Sequence, residues 1–355
     1  MRLKSLPLYV GVLLGLTAAV SIAKTSAAPS QRSREFDFTY QAKIKDLPVG
    51  PHVVRIWIPV ARSDAHQVVT LAKIKSSVPT RITREHEYRN RVLYAEIRNP
   101  RSSEADFTLT YRVLRKEYSR GGFQQLLRYN NDPQHDPPDL KRYLEPDRLI
   151  PVTGMIKGLA DQITEGKKGP VEKAHAIYNY LFHNFRYDKS GTGWGRGDAV
   201  WACDAKHGNC TDFHSAFIGM MRAEGIPARF VIGFPLPDNL SQGTIPGYHC
   251  WAEFYLSQVG WVPVDIAEAW LAPQKYAYFF GTVDDNRVRF SAGRDLTLVP
   301  RQAGPPLNYF IYPYVEVDGK PAGKVEKDFS FQIIASGSAN LKIGGSLVAS
   351  SHHAP

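Results

Sequence analysis

From Glu35 to about Tyr118 apolar residues recur at every second position. Phe36, Phe38, Tyr40, Ala42 and Ile44 form one such run, Val54, Ile56 and Ile58 a second, and Phe107, Leu109, Tyr111 and Val113 a third. A period of two places one set of side chains on one face of a strand. Turn formers at 47–51 and at Asn99-Pro100 separate the runs. Half-buried strands at this spacing predict an antiparallel β-sandwich over 29–118. No catalytic constellation falls within it. A polar stretch at 119–138, with Gly121, Gly122, Pro133, Pro137 and Pro138, follows as a linker.

The period then lengthens. Residues 153–163 predict a helix. Pro170 suits a first helical position, and Val171, Ala174, Ile177, Tyr178, Leu181, Phe182 and Phe185 fall on one face behind it. His175 and His183 on this helix read as structural or surface histidines. A third helix opens at Cys210, with Phe213, Ala216, Phe217 and Met220 at helical spacing, Gly225 as a stop signal and Pro227 beyond it. Tyr248–Leu256 and Trp261–Ile266 alternate again and are joined by Gln258, Val259 and Gly260, so they predict a hairpin. Short strand-like pieces continue to about Ile334, among them the aromatic run 307–317, and the small-residue tail 335–355 is expected to be flexible. The fold class is α+β, with a second domain at 119–334.

Composition changes the picture at the N-terminus. Arg2 and Lys4 precede an uncharged run from Ser5 to Ala23, followed by the small residues Ala27 and Ala28. That grammar predicts a signal peptide at 1–28 and a periplasmic or secreted protein. Pro7, Gly11, Gly15 and Thr17 interrupt the run and favour cleavage over an anchor, leaving no integral membrane span. The formal charge is +10. Its lysines and arginines are dispersed and no groove-reading motif accompanies them, so nucleic acid is not an expected partner. The basic excess could still favour anionic envelope polymers or membrane surfaces.

The candidate chemistry lies in 208–271. Cys210 sits at a helix start, where unpaired amides and the positive dipole end lower a thiol pKa. His249 lies on the next strand pattern and Asp265 on the one after. In the hairpin Asp265 falls opposite Trp251, diagonal to His249, if the tip is near Gln258, and directly opposite His249 if the tip is near Ser257. Alternation puts His249, Trp251, Glu253 and Tyr255 on one face, expected to face the Cys210 helix, and Cys250, Ala252, Phe254 and Leu256 on the other, apolar face. Cys210, His249 and Asp265 are therefore the candidate catalytic residues, an order that can make a thiolate nucleophile at neutral pH with Asp265 fixing the imidazole tautomer.

Rival readings are weaker. Gly191, Gly193, Gly195 and Gly197 lack the ending and the frame of a phosphate-binding loop, and read as a mobile loop beside the nucleophile. Cys203, His207, Cys210 and His214 have zinc-like spacing, but Gly208-Asn209 breaks the helix that would align them. No metal or organic cofactor is expected. Cys203 and Cys250 leave three states open: a bridge between them, a Cys203–Cys210 bridge that masks the nucleophile, or free thiols throughout.

The same stretch resembles the transglutaminase-like superfamily. The resemblance is carried by Cys210 with Asp212 two residues on, the GIPAR segment 225–229, the strand from His249 through Trp251 and Glu253 to Tyr255, and Gly260-Trp261 leading to Asp265. It covers about 170–270 and implies a papain-like core with an antiparallel sheet. It also implies that Cys210, His249 and Asp265 act on amide or peptide bonds through a Cys thioester, by hydrolysis or acyl transfer, on a protein or peptide-like envelope substrate. An upstream aromatic or amide residue usually completes the oxyanion site in that superfamily, with Trp194 and Trp201 nearest in sequence. The alternative is a non-catalytic envelope binding or assembly module that keeps the fold. Oligomeric state is not encoded legibly.

Overall fold

The expected alternation is realised strand by strand in the computed structural model, which describes residues 31–130 and 138–338. The expected signal peptide, 1–28, lies outside these residues. The first six strands are β1 (Arg32–Lys45), β2 (Val53–Val60), β3 (Gln67–Ser76), β4 (Arg81–Arg84), β5 (Arg91–Arg98) and β6 (Ala105–Lys116). Phe36, Phe38, Tyr40, Ala42 and Ile44 on β1 are all buried, as are Phe107, Leu109, Tyr111 and Val113 on β6. β1 pairs with β6 and β6 with β3 in one antiparallel sheet, while β2, β5 and β4 pair in a second. Trp57 breaks the alternation on β2. It packs on the opposite face against Tyr94 and Tyr314, with ring centroids at 5.4 and 5.7 Å.

The helical region holds α1 (Met155–Thr164), α2 (Pro170–Asn184), α3 (Ala199–Ala205) and α4 (Cys210–Ala223). Pro170 occupies the first turn of α2, and Val171, Ala174, Ile177, Tyr178 and Leu181 are its buried face. α4 is buried on every side from Cys210 to Arg222, because α1, α2 and α3 surround it and a sheet closes the remaining side. That sheet comes from β7 (Ala228–Pro235), β9 (His249–Leu256), β10 (Gly260–Val264) and β11 (Arg287–Ala292), ordered β10-β9-β7-β11 and antiparallel, with β8 (Gln242–Thr244) belonging elsewhere and α5 (Ile266–Leu271) following β10. This is the α+β core expected from the sequence.

The chain then returns to its beginning. β12 (Tyr314–Val317) pairs with β2, and β13 (Lys324–Ser338) pairs with β1 from Lys45↔Lys324 to Arg32↔Ser338. β8 adds to the other edge of β13. Residues 335–338, expected in the flexible tail, are the paired end of this strand, since small side chains do not prevent a backbone ladder; the rest of the tail lies outside the described residues. Only 314–317 of the aromatic run 307–317 is strand, and Phe310 and Ile311 are buried as core side chains instead.

The two regions expected as separate domains, 29–118 and 119–334, share one continuous core. Phe38 on β1 packs on Phe234 of β7 and Phe290 of β11, at 5.3 and 5.5 Å between centroids. Tyr40 meets the same two rings and Phe329 on β13. Each fully buried ring of this kind contributes roughly 1.5–3 kcal/mol. Among the described residues no helix is long and apolar enough to cross a membrane.

Candidate active site

The start of α4 is built from local rules. Asn209 is the N-cap, its side chain accepting from the Thr211 N–H at 2.9 Å, and Asp212 reaches back to the Asn209 N–H at 2.9 Å. This reciprocal pair is a capping box. The Asp212 carboxylate also accepts from Gly195 N–H at 2.7 Å and Gly197 N–H at 3.0 Å. The glycine loop, expected beside the nucleophile, is thereby tied to the helix start. Gly208 is required here, for its φ is +148° and a Cβ would lie 2.3 Å from the Asp212 carboxylate. Arg294 fastens the same corner from behind, donating to Ser215 Oγ at 2.7 Å and to the Gly197 carbonyl at 3.0 Å.

Cys210 opens this helix, and the hairpin carries the other two candidates to it. The β9–β10 register runs Leu256↔Gly260 to Ala252↔Val264. Its centre is Gln258, so Asp265 continues the ladder opposite Trp251, diagonal to His249. His249 Nε2–H donates to Asp265 Oδ2 at 2.8 Å. The Cys210 thiol is close enough to His249 for each to shift the other's titration. The structure thus brings Cys210, His249 and Asp265 together.

The faces of β9 are reversed from the expectation. Phe254 packs on Phe217 of α4 at 6.4 Å, and Cys250 Sγ lies 3.7 Å from His214 Nδ1, so the apolar face meets the Cys210 helix. Trp251 instead packs with Tyr118, Val231, Val283 and Ala292. The physical reason is that α4 is itself apolar and demands the apolar side of the strand. His249 is the first strand residue, level with the helix N-terminus, and reaches Cys210 from there.

The electrostatics of the cluster favour a charged pair. Burial pushes the Cys210 thiol up, but hydrogen bonds from the Cys250 thiol and His249, with the imidazolium charge, outweigh it and hold the thiol well below its ordinary range. Burial pushes His249 down, and the Asp265 carboxylate and its hydrogen bond reverse this, so His249 holds its proton well above the ordinary histidine range. For Asp265 burial is likewise outweighed by His249 and Arg287, and its carboxyl lies below the usual range. A thiolate facing an imidazolium is the nucleophilic form of such a pair.

Four partners of the site were not assigned to it by sequence reasoning. Arg287 Nη1 donates to Asp265 Oδ2 at 2.8 Å, and Glu268 N–H donates to Oδ1 at 3.1 Å because Asp265 is the N-cap of α5. His214 donates from Nδ1 to the Cys210 carbonyl at 2.7 Å and accepts at Nε2 from Ile266 N–H at 3.0 Å. Those contacts fix its neutral tautomer, and burial lowers its pKa from 6.5 to about 4. Cys250 is buried against Cys210, and burial together with donation to the Cys210 sulfur holds its own thiol well above the usual range. A helical i, i+4 relation to Cys210 could have flagged His214; nothing local could have flagged Arg287.

The remaining sequence candidates lie elsewhere. Cys203 is buried in α3, and burial pushes its thiol up to about 12. All three cysteines are free thiols. His207 contacts the Asp188 carbonyl and the Trp201 ring. Both ring nitrogens of His214 are engaged, which leaves it no lone pair for a metal. Among the described residues no group of three or more His, Cys, Asp or Glu converges as a metal site. Trp201 is packed beneath Gly193. Among the aromatic hydroxyls that feel the Cys210 charge, Tyr187 and Tyr248 are each pushed up first by burial and then by that charge, while Tyr309 and Tyr312 feel it less.

Comparison with known proteins bears on the family and the fold. Residues 157–266 match the model of the transglutaminase-like superfamily. A protein of uncharacterized function from Haemophilus influenzae is 28% identical over 337 residues, covering 85% of this chain and 90% of its own. The Bacillus subtilis protein YebA is 27% identical over 150 residues, 38% of this chain and 20% of its own. A crystal structure from Cytophaga hutchinsonii, solved as a candidate cysteine protease, superposes with a TM-score of 0.56 at 16% identity, covering 85% of this chain and 98% of its own. Residues 157–266 thus form a transglutaminase-like segment, and the fold around it is like that of the Cytophaga hutchinsonii structure.

Proposed function

We propose that this chain is an exported cysteine enzyme acting on amide or peptide bonds in the cell envelope. The observation that carries the reading is the bond of His249 to Asp265 at 2.8 Å, next to a Cys210 thiol whose charge helps His249 hold its proton. The Cys210 thiolate attacks the carbonyl carbon, and the oxyanion is met by the Cys210 N–H, one of the donors a helix start leaves unpaired. His249 gives its proton to the departing amine and a thioester remains. Water, losing a proton to His249, then gives hydrolysis, and an amine gives transfer. Asp265 holds the ring in the required tautomer throughout. No cofactor takes part in this scheme. Export to the periplasm or beyond rests on the basic and apolar pattern of 1–28.

A second reading has one observation in its favour. Cys210 is 2% exposed and His249 5%, which suits a binding or assembly module that keeps the fold without turnover. The experiment that separates the two is mass spectrometry of envelope peptides incubated with wild type and with Cys210→Ala. New termini made only by the wild type support hydrolysis, and new isopeptide links support transfer. Identical peptide sets from both proteins would overturn the enzymatic reading.

A further inference from the structure

A second polar centre lies on the other face of the catalytic sheet. Its lining includes Asp64, Arg115 on β6, Arg229 on β7, Glu253 on β9 and Arg289 on β11, around a cavity of about 210 Å³. A water occupies about 30 Å³ of liquid, so the space suits a small polar ligand. Arg229 is paired with Glu253 through Nε at 2.7 Å, and Arg289 Nη1 with Asp64 at 3.1 Å. Arg115, 1% exposed, has no ion pair among the described residues; its Nη1 reaches only Gln67 Oε1 at 3.4 Å. Two carboxylates therefore face the three guanidinium groups of Arg115, Arg229 and Arg289.

The unmatched charge has a definite geometry. Nε and Nη2 of Arg115, and Nε and Nη2 of Arg289, are buried without a hydrogen-bond partner among the described residues. On an arginine these two nitrogens form one side-on edge, the fork that meets two oxygens of one oxyanion. Both residues are more than nine-tenths buried and both line the cavity. A buried cation with an unpaired donor edge is costly in an empty site, and an anion there would relieve it. The neighbours report the same excess. Burial and then the Arg115 charge bring His66 down to about 4, and burial with Arg289 and Arg229 brings Arg62 down to about 10.

We infer that this cavity binds a compact phosphoryl-type oxyanion, gripped by the paired side-on forks of Arg115 and Arg289. Two forks offer four donors to a tetrahedral group, more than a single carboxylate can use. Arg120, exposed to solvent, also lines the cavity, and would admit either a free phosphate or the phosphoryl end of a larger molecule. The ligand would lie beside Trp251, two residues along β9 from His249.

The test is calorimetric titration of the whole chain with inorganic phosphate, and separately with glycerol 3-phosphate, at fixed ionic strength. Wild type is expected to bind phosphate and to gain thermal stability that equal chloride does not give. Arg115→Lys keeps the charge but loses the fork and should weaken binding at least tenfold. Arg115→Met should abolish it while matching or exceeding wild-type stability without phosphate. Binding of both ligands supports a site open to a larger phosphoryl compound, and binding of phosphate alone supports a site for the free ion. Absence of phosphate binding by wild type, or unaltered binding by Arg115→Lys and Arg115→Met, overturns the inference.

Discussion

Asp265→Asn is the sharpest perturbation of the candidate site. The carboxylate is fully buried and its Oδ2 accepts from His249 Nε2 and Arg287 Nη1, both at 2.8 Å. Asparagine can keep the Glu268 cap through its carbonyl, but its amide then meets a donor where a carboxylate was. The charge loss is the larger effect. Opposite charges with centres about 4 Å apart interact by about 4 kcal/mol at an effective dielectric of about 20. Removing that support shifts the balance between ion pair and neutral pair by about a thousandfold, since each 1.4 kcal/mol is about tenfold. Arg287 keeps Asp284 at 3.0 Å, so the fold should persist. The assay is thiolate absorbance against pH, with Cys210→Ala as the blank, which requires no reagent to enter the buried site. Wild type should show thiolate at and below neutral pH, and Asp265→Asn should show it only in the alkaline range. Turnover on any identified substrate should fall by about three orders of magnitude. Superimposable thiolate titrations for the two proteins would refute the electrostatic account.

Cys210→Ala should leave the fold and thermal midpoint nearly unchanged and remove every covalent product; full activity in that variant would end the thiol mechanism. Cys250→Ala removes the donor to the Cys210 sulfur, so the thiolate signal should move toward higher pH in the same absorbance assay, by less than in Asp265→Asn. Asp212→Ala strands the N–H groups of Gly195, Gly197 and Asn209. At about 1 kcal/mol or more each it should cost about 3 kcal/mol in denaturant unfolding. His214 has a pKa lowered from 6.5 to about 4, so the unfolded chain binds its proton first as pH falls. Its contribution is present above about 6.5 and is lost progressively down to about 4, amounting to about 3 kcal/mol. His66, lowered likewise, adds to the slope in both proteins, so the check is the difference. Unfolding free energy should fall less steeply between those pH values in His214→Gln than in wild type, and equal slopes would refute the assignment.

Local periodicity made much of the fold legible. The alternation of Phe36 to Ile44 and of Phe107 to Val113 is the buried face of β1 and β6, and Pro170 and Cys210 mark true helix starts. What stayed hidden were pairings across the chain. β13 pairs with β1 over almost three hundred residues of separation, and no local pattern states which strand a distant strand will meet. Tyr40 and Phe290 were readable as apolar, but not that they would touch. The tail misled because its small residues lower local β-propensity, while β1 offers 335–338 a ladder that outweighs it.

The site shows where such reading stops. Order and spacing pointed to Cys210, His249 and Asp265 because hairpin geometry is local. The face of β9 was reversed because polar alternation is normally taken to mark solvent or a polar site, and here it marks a second buried interface. His249, Trp251 and Glu253 are 5%, 1% and 1% exposed. Burying such a row demands partners for each polar group, and the partners come from other segments: Asp265 for His249, Arg229 for Glu253, and the Arg287 guanidinium stacked 5.1 Å from the Trp251 ring. Arg287 and Arg289 stand two apart on β11, one bonded to Asp265 and the other lining the oxyanion cavity. A sheet covered on both faces thus has two interiors. The apolar one seats the Cys210 helix, and the polar one holds its charges by mutual pairing except at Arg115, where the surplus is left for a ligand to satisfy.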